Sequence, residues 1–231
     1  MTNIKSKLRK VATIVACLTV TTMFAACGNG NDDENGNGNG NGSGSPTSDV
    51  GVVINGVKWA TRNVDKPGTF AAKPETPGMF YQWNRKVGYA ATGNVTNWDA
   101  NVPTGVSWPQ DNDPSPSGWR IPSLAQLQTL LDTEKVSRQW TTQNKVNGMK
   151  FTDKATGNSI FLPAAGLRNF DTGELLNAGE YGRYWSRERP TTGIYSNTNA
   201  LYMWFINDNS PGWGDNLRRY GFSVRSVALA E

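Results

Sequence analysis

From residue 51 onward, apolar positions recur mostly at every second residue, and in only one stretch at helical spacing. The first alternating pair, "GVVINGVKWATRNV", is interrupted by Asn55-Gly56. Both central residues of a type I′ turn need positive φ, and Asn-Gly supplies it readily, so residues 52–54 are predicted to pair with residues 57–61. Leu124, Leu127, Leu130 and Leu131 instead share a helical face, with Ser123 before them and Gln126 three residues after the serine. That is a capping box, each side chain satisfying the other residue's free N–H, and it predicts a helix running to about Glu134. Pro122 constrains the entry, and Ile121 is placed to staple against Leu127. A weaker second helical turn is predicted over 137–144.

Alternation then takes over. "NGMKF" and "SIFLPA" flank a turn at Thr156 to Asn158, and "GRYWSRE", "ALYMWFIN" and "YGFSVRSVAL" read as three more strands. In the second of these, Leu201, Met203 and Phe205 alternate with Tyr202, Trp204 and Ile206, so both faces are expected to be covered. Residues 65–118 are rich in Pro, Gly, Asn and Asp and predict ordered loops with short strands, "GMFYQWN" the clearest. No internal repeat is evident. The expected fold class is α+β: strand-rich antiparallel sheets with one clear helix and long ordered loops.

The first fifty residues follow neither pattern. Lys5, Lys7, Arg9 and Lys10 precede the uncharged run "VATIVACLTVTTMFAA", which has the layout of a secretory signal peptide over residues 1–26. A permanent span needs roughly 20 apolar residues, and this run is shorter and dotted with threonines, so spanning is the weaker reading. Cys27 follows "FAA" and resembles the lipobox cysteine of bacterial lipoproteins, although Phe24 replaces the usual aliphatic residue. Cys17 fits the local pattern less well, and plain cleavage near Ala26 is the alternative. Residues 27–50, "CGNGNDDENGNGNGNGSGSPTSDV", hold nothing able to build a core and read as a flexible tether. Asp32, Asp33 and Glu34 resemble the signal that sends some Bacteroidetes lipoproteins to the cell surface; plain solubility is the other explanation.

Composition narrows the chemistry of residues 51–231. The four signal cations account for the chain's +4, and the acids Asp32, Asp33, Glu34 and Asp49 of the tether leave this segment +4 on its own. With no Lys/Arg run, nucleic acid is not favoured as a partner. The chain has no histidine, and its two cysteines, Cys17 and Cys27, precede the domain. Ser-His and Cys-His catalysis, zinc-type sites and internal disulfides are therefore excluded there. About 180 residues suffice for one domain with a substantial core.

The motifs "INGVKWATRNV", "GMFYQWN", "SGWRIPSLAQLQTLL", "NGMKF", "IFLPAAGLRN", "GRYWSRE" and "GFSVRSV" occur in an order that resembles the Fibrobacter succinogenes major paralogous domain family. The resemblance implies a C-type-lectin-like fold related to formylglycine-generating enzymes, with N- and C-terminal strands side by side. It does not carry those enzymes' activity over, because the reactive cysteines are missing. The sugar-binding tripeptides of calcium-dependent lectins, Glu-Pro-Asn and Gln-Pro-Asp, are missing too, and "WFINDN" separates Trp204 from Asn207 and Asp208. Fold alone does not fix function.

Within that family fold, "INDNSPGWGDNLRR", residues 206–219, would lie near the ligand face as a polar loop. Asn207, Asp208, Asn209, Trp213, Asp215, Asn216 and Arg218, with Arg219 beside them, are the candidate binding residues: rings stack on apolar faces while amides, carboxylates and guanidinium groups set orientation. A solvated loop whose Trp213 closes the core is the alternative. Asp111 and Asp113, with Asn112, are weak calcium candidates, too few for an ion that takes six to eight oxygens and equally suited to Asx turns; no cofactor is otherwise expected. Asp171, Glu174, Glu180 and Glu188 could supply a glycosidase pair, but no motif selects two of them, so the expectation is a non-enzyme. Arg183, Arg187 and Arg189 surround Trp185 and suit either an anionic glycan or cross-strand pairing with acids such as Glu188. Trp59, Trp83, Trp119 and Trp185 are expected in the core, and Arg120 in an ion pair or on a carbonyl.

These observations predict an outer-membrane lipoprotein, lipid-anchored at Cys27 and exposed on the surface, that binds a glycan or protein ligand. A structural component of a cell-surface or fimbrial assembly is the alternative. A retroelement-diversified binding protein is another, suggested by Asn197, Asn199, Asn207, Asn209 and Asn216.

Overall fold

The computed structural model describes residues 46–229, so the signal segment, Cys27 and all but the end of the tether lie outside the described residues. Strands dominate the described residues, in four sheets whose neighbouring strands are antiparallel, with one short α-helix and one 3-10 turn.

The first sheet brings the start and end of the domain together. β1 (Val52–Ile54) and β2 (Val57–Trp59) form the hairpin that Asn55-Gly56 predicts, Asn55 at φ 45° and Gly56 at φ 77°. β2 stops at Trp59 rather than reaching Thr61, and Val227 of the last strand, β15 (Val227–Ala228), pairs with Trp59. β15 also pairs with β5 (Trp119–Arg120). The end of the tether joins this sheet: Asp49 accepts from Gly51 N, from Thr61 N and Oγ1, and from Arg62 Nε at 3.1 Å.

The second sheet runs β10 (Leu175–Leu176), β9 (Leu167–Arg168), β14 (Gly221–Phe222), β3 (Phe80–Gln82), β4 (Gly88–Tyr89). "YGFSVRSVAL" is thus two strands, not one. Its middle, residues 223–226, crosses between sheets fully buried, with Ser223 in a parallel bridge to Tyr184.

α1 (Leu124–Thr129) begins as predicted, with Gln126 N donating to Ser123 Oγ at 3.1 Å and Ser123 N to Gln126 Oε1 at 2.9 Å. It ends well before Glu134, because Asp132 competes with the helix: its side chain accepts from Glu134 N and its carbonyl from Val136 N. Ile121 and Leu127 fall in different core clusters, so the expected staple between them is not what anchors the helix. The helical turn predicted over 137–144 is instead strand β6 (Val136–Gln143), paired along its length with β7 (Val146–Asp153), and β7 pairs with β8 (Ser159–Pro163). Asn144 and Lys145 both have positive φ, at 48° and 68°, so a tight hairpin turn replaces the helix.

The fourth sheet, β11 (Gly182–Trp185), β12 (Asn199–Phe205) and β13 (Gly212–Leu217), is the centre of the molecule. Strand alternation sends Tyr184, Met203 and Phe205 into one core cluster, with Trp59, Leu127, Phe151 and Val227, and Trp185, Ala200 and Tyr202 into the other, with Trp83, Ile121, Phe222 and Val224. Both faces are covered, as the alternation in "ALYMWFIN" predicts. Trp59, Trp83, Trp119 and Trp185 are all buried, each large side chain contributing about 1.5–3 kcal/mol relative to exposure.

Long loops leave carbonyls with no ladder partner, and three buried arginines collect them. Arg168 donates to Ala90, Thr92, Gly93 and Gly173. Arg218 takes Asn199, Pro103, Gly105 and Ser196, and Arg225 takes Ala60, Phe161 and the Asn63 side chain. One planar guanidinium has five donors, enough to hold several strands of loop at once.

Candidate ligand-binding site

Residues 206–219 do not form a polar loop. They are a hairpin tip over 206–211, then β13, then Arg218 turned inward. The register decides where each candidate points. Trp213 lies opposite Met203 and Asp215 opposite Leu201, so Trp213, Asp215 and Leu201 share one face of the sheet. Asn216, opposite Ala200, lies on the other face and accepts from its neighbour Leu217 N at 2.9 Å.

Arg218 is corrected from ligand contact to scaffold. It is 2% exposed, donates to four carbonyls and lies 4.5 Å over the Trp83 ring; burial, and then the charge of Arg189, push its pKa down. The tip residues are committed to the turn: Asp208 accepts from Ser210 N at 2.8 Å, and Asn209, at φ 59°, accepts from Trp140 N on the edge of β6. Arg219 donates to Ala100 O and packs 5.0 Å from the Phe170 ring. The structure keeps two of the candidates together on an open face, Trp213 and Asp215.

Trp213 is 50% exposed and does not close the core. With Asp215 and Leu201 it forms one wall of an open basin of about 410 Å³, the other wall being Glu188, Arg189, Thr191 and Thr192 from the chain after β11. Glu188 is tied down: its Oε2 accepts from Leu124 N at 3.0 Å, an anion at the first turn of α1, and its Oε1 is 4.0 Å from Arg187 Nε. Arg189 is held by Ser196 O at 2.8 Å. Asp215 accepts from the Asn199 side chain, which orients its carboxylate. The basin therefore offers one half-free indole and an oriented carboxylate on a rigid hairpin, with two threonines at the rim. Glu188 and the threonines were not among the binding candidates; the bridge between Ser107 and Glu188 that places this segment is visible only in three dimensions.

The two calcium candidates diverge. Asp113 turns inward, its carboxylate accepting from Ser115 N and Ile121 N at 2.8 Å each, and burial raises its pKa despite those bonds. Asp111 is exposed on the 3-10 turn (Gln110–Asn112), and Asn112 bonds Asn84. Among the described residues no three acidic, His or Cys groups gather as metal ligands. Asp171, Glu174 and Glu180 are exposed. Of the five asparagines named as candidates for diversification, Asn199 is buried.

The arginines around Trp185 take three different roles. Arg187 faces Glu188, Arg189 holds a loop carbonyl, and Arg183 forms no ion pair or hydrogen bond with a described residue. Arg120 likewise lacks the partner expected for it, its Nε buried and unbonded beside Arg187 and Asp113. No protein-family model matches the chain, and no curated protein and no solved structure matches it.

Proposed function

We propose that this protein is a non-enzymatic cell-surface lipoprotein of the outer membrane, acylated at Cys27, whose domain is C-type-lectin-like and related to the Fibrobacter succinogenes major paralogous domains. It binds a glycan on a neighbouring, host or matrix surface, without nucleic acid or cofactor. The observation that carries the binding role is Trp213, half exposed on a strand of the central sheet above a basin with an oriented carboxylate. An indole fixed on a rigid element stacks on the apolar face of a sugar at little entropic cost, and the neighbouring polar groups select its hydroxyls.

Glycan-array binding by the full chain tests this. Trp213→Ala should weaken the signal by at least about tenfold, as expected for loss of an anchor worth more than ~1.4 kcal/mol; a signal unchanged in that variant overturns the assignment. Anchoring is read separately: Cys27→Ser should abolish metabolic lipid labelling, and labelling that persists sinks it.

A protein ligand, or packing within a surface assembly, is the second reading. Ile194 is 87% and Tyr195 59% exposed in the loop that continues from the basin wall. If a protein partner is bound there, Ile194→Asp abolishes its binding; under the glycan reading the same substitution leaves the array signal intact.

A further inference from the structure

On the face of the central sheet opposite Trp213 lies a second concavity, and it holds Arg183, which forms no ion pair or hydrogen bond with a described residue. Arg183 on β11 pairs directly with Trp204 on β12, and Tyr202 is two residues before Trp204 on the same face. Together with Tyr181 and Ile206 they line a half-open cleft of about 260 Å³.

The environment of Arg183 is unlike that of the other inward-turned arginines. Its guanidinium carbon lies 5.6 Å from the centres of the Tyr181 and Tyr202 rings and 5.5 Å from that of Phe222, so aromatic faces hold the cation in place. Yet its Nε is buried without a hydrogen bond, and neither terminal nitrogen bonds a described residue. No aspartate or glutamate lines the cleft, and the described ion pairs are Arg62–Asp49, Arg85–Asp99 and Arg187–Glu188. The hydroxyls of Tyr181 and Tyr202 and the indole N–H of Trp204 also bond no described residue. A fixed, unpaired guanidinium is complementary to a planar anion that it can hold through two parallel hydrogen bonds.

We propose that this cleft binds a single carboxylate-bearing sugar ring, of the uronic acid type. The carboxylate lies on Arg183, the apolar face of the ring stacks on Trp204 or Tyr181, and the free donors of the walls meet ring hydroxyls. The volume sets the size: pockets for drug-sized ligands run roughly 300–1,000 Å³, and a cleft of about 260 Å³, below that range, takes one residue of a chain rather than a stretch of it. The site is separate from the basin under Trp213 and does not depend on the assignment there.

The test is a titration of the full chain with methyl glucuronoside, read on assigned indole ¹⁵N–H resonances. Trp204 should shift and saturate in the range of about 1 mM, weaken several-fold at high salt, and show no saturable shift with methyl glucoside. Arg183→Gln should weaken the response at least about tenfold, since hydrogen bonds to a charged group contribute about 1.5–3 kcal/mol, and Arg183→Lys should restore part of it. Equal responses to the acidic and the neutral glycoside, no response of Trp204, or an undiminished response in folded Arg183→Gln would each overturn the proposal. Trp213 reports the basin independently: a shift confined to Trp213 refutes this site while leaving the other standing. Should the Gln variant not fold, the comparison of the two glycosides on the native chain decides alone.

Discussion

Arg225 and Arg183 both turn their side chains in among aromatic rings and backbone, and the fold treats them oppositely. Arg225 is fully buried, and its donors reach Asn63 Oδ1 at 2.9 Å, Ala60 O at 3.1 Å and Phe161 O at 3.0 Å. Burial pushes its pKa down to about 10, and Tyr184 and Asp49 oppose that shift. Arg183 has rings on its sides and no hydrogen bond with a described residue at its tip. The difference lies in supply. Around Arg225 the Ala60 and Phe161 carbonyls and the Asn63 side chain all face the guanidinium; the Arg183 side chain meets no such acceptor among the described residues, although its own carbonyl accepts from Ser223 N at 3.0 Å. An arginine whose fork meets several acceptors is scaffold; Arg183, whose fork meets rings instead, is the one the proposed uronic-acid site uses.

The sharpest way to break that contrast is to remove Arg225. Arg225→Met keeps the apolar stem but orphans three buried acceptors, each costing about 1–3 kcal/mol, so a loss of about 3 kcal/mol or more is expected. In a domain of this size that lowers Tm by roughly 6–12 °C, read by calorimetry. Arg225→Lys should lose nearly as much, because one ammonium cannot span three partners set out for a planar fork. A methionine variant as stable as the native protein would mean that the carbonyls are not what retains this arginine.

Arg62 stands between the two extremes, since it has a carboxylate. Asp49, with no exposed side-chain surface, would have its pKa raised by burial, but bonds from Gly51, Thr61 and Arg62 outweigh this and hold it below the ordinary 3.8. For an acid with a lowered folded-state pKa, the stabilisation is fully present above the unfolded value and is lost as pH falls through the folded one. Asp49→Asn should therefore cost about 1–3 kcal/mol at pH 7, and the gap to the native protein should close below pH 3.8. Urea midpoints measured between neutral and acid pH check both the size and the direction; a gap that widens in acid would contradict the assignment.

What the sequence discloses follows the range of the interactions. Asn55-Gly56 and the Ser123–Gln126 box act within a few residues, and both stand where the pattern places them. The end of α1 and the fate of 137–144 were not legible, because an Asp132 side chain and a strand partner eight residues long outbid local helical spacing. At the candidate site, Trp213 and Asp215 were legible as an indole near a carboxylate, and the strand puts them on one face, whereas reading 206–219 as a loop hid the parity of a strand. Parity is what sends Asn216 to the far face. Arg218 was illegible for the reason that Arg225 was: its partners at 103, 105, 196 and 199 come from two segments distant in sequence.

The smallest expected effect is at Arg183, and it is the one that gives the comparison its functional meaning. Arg183→Gln removes a cation from among three rings but orphans no acceptor, since the side chain bonds none among the described residues. Cation–π contacts contribute about 0.5–1 kcal/mol at exposed sites, and relief of an unbonded, buried Nε offsets part of this. Denaturant unfolding should therefore find the variant within about 1 kcal/mol of the native protein, against about 3 for Arg225→Met. A scaffold arginine and a recognition arginine then separate by two measurements moving in opposite ways: one substitution lowers stability, and the other lowers only the response to an acidic sugar. If Arg183→Gln destabilises the domain as much as Arg225→Met, the rings need the cation for folding, and Arg183 is scaffold like Arg225.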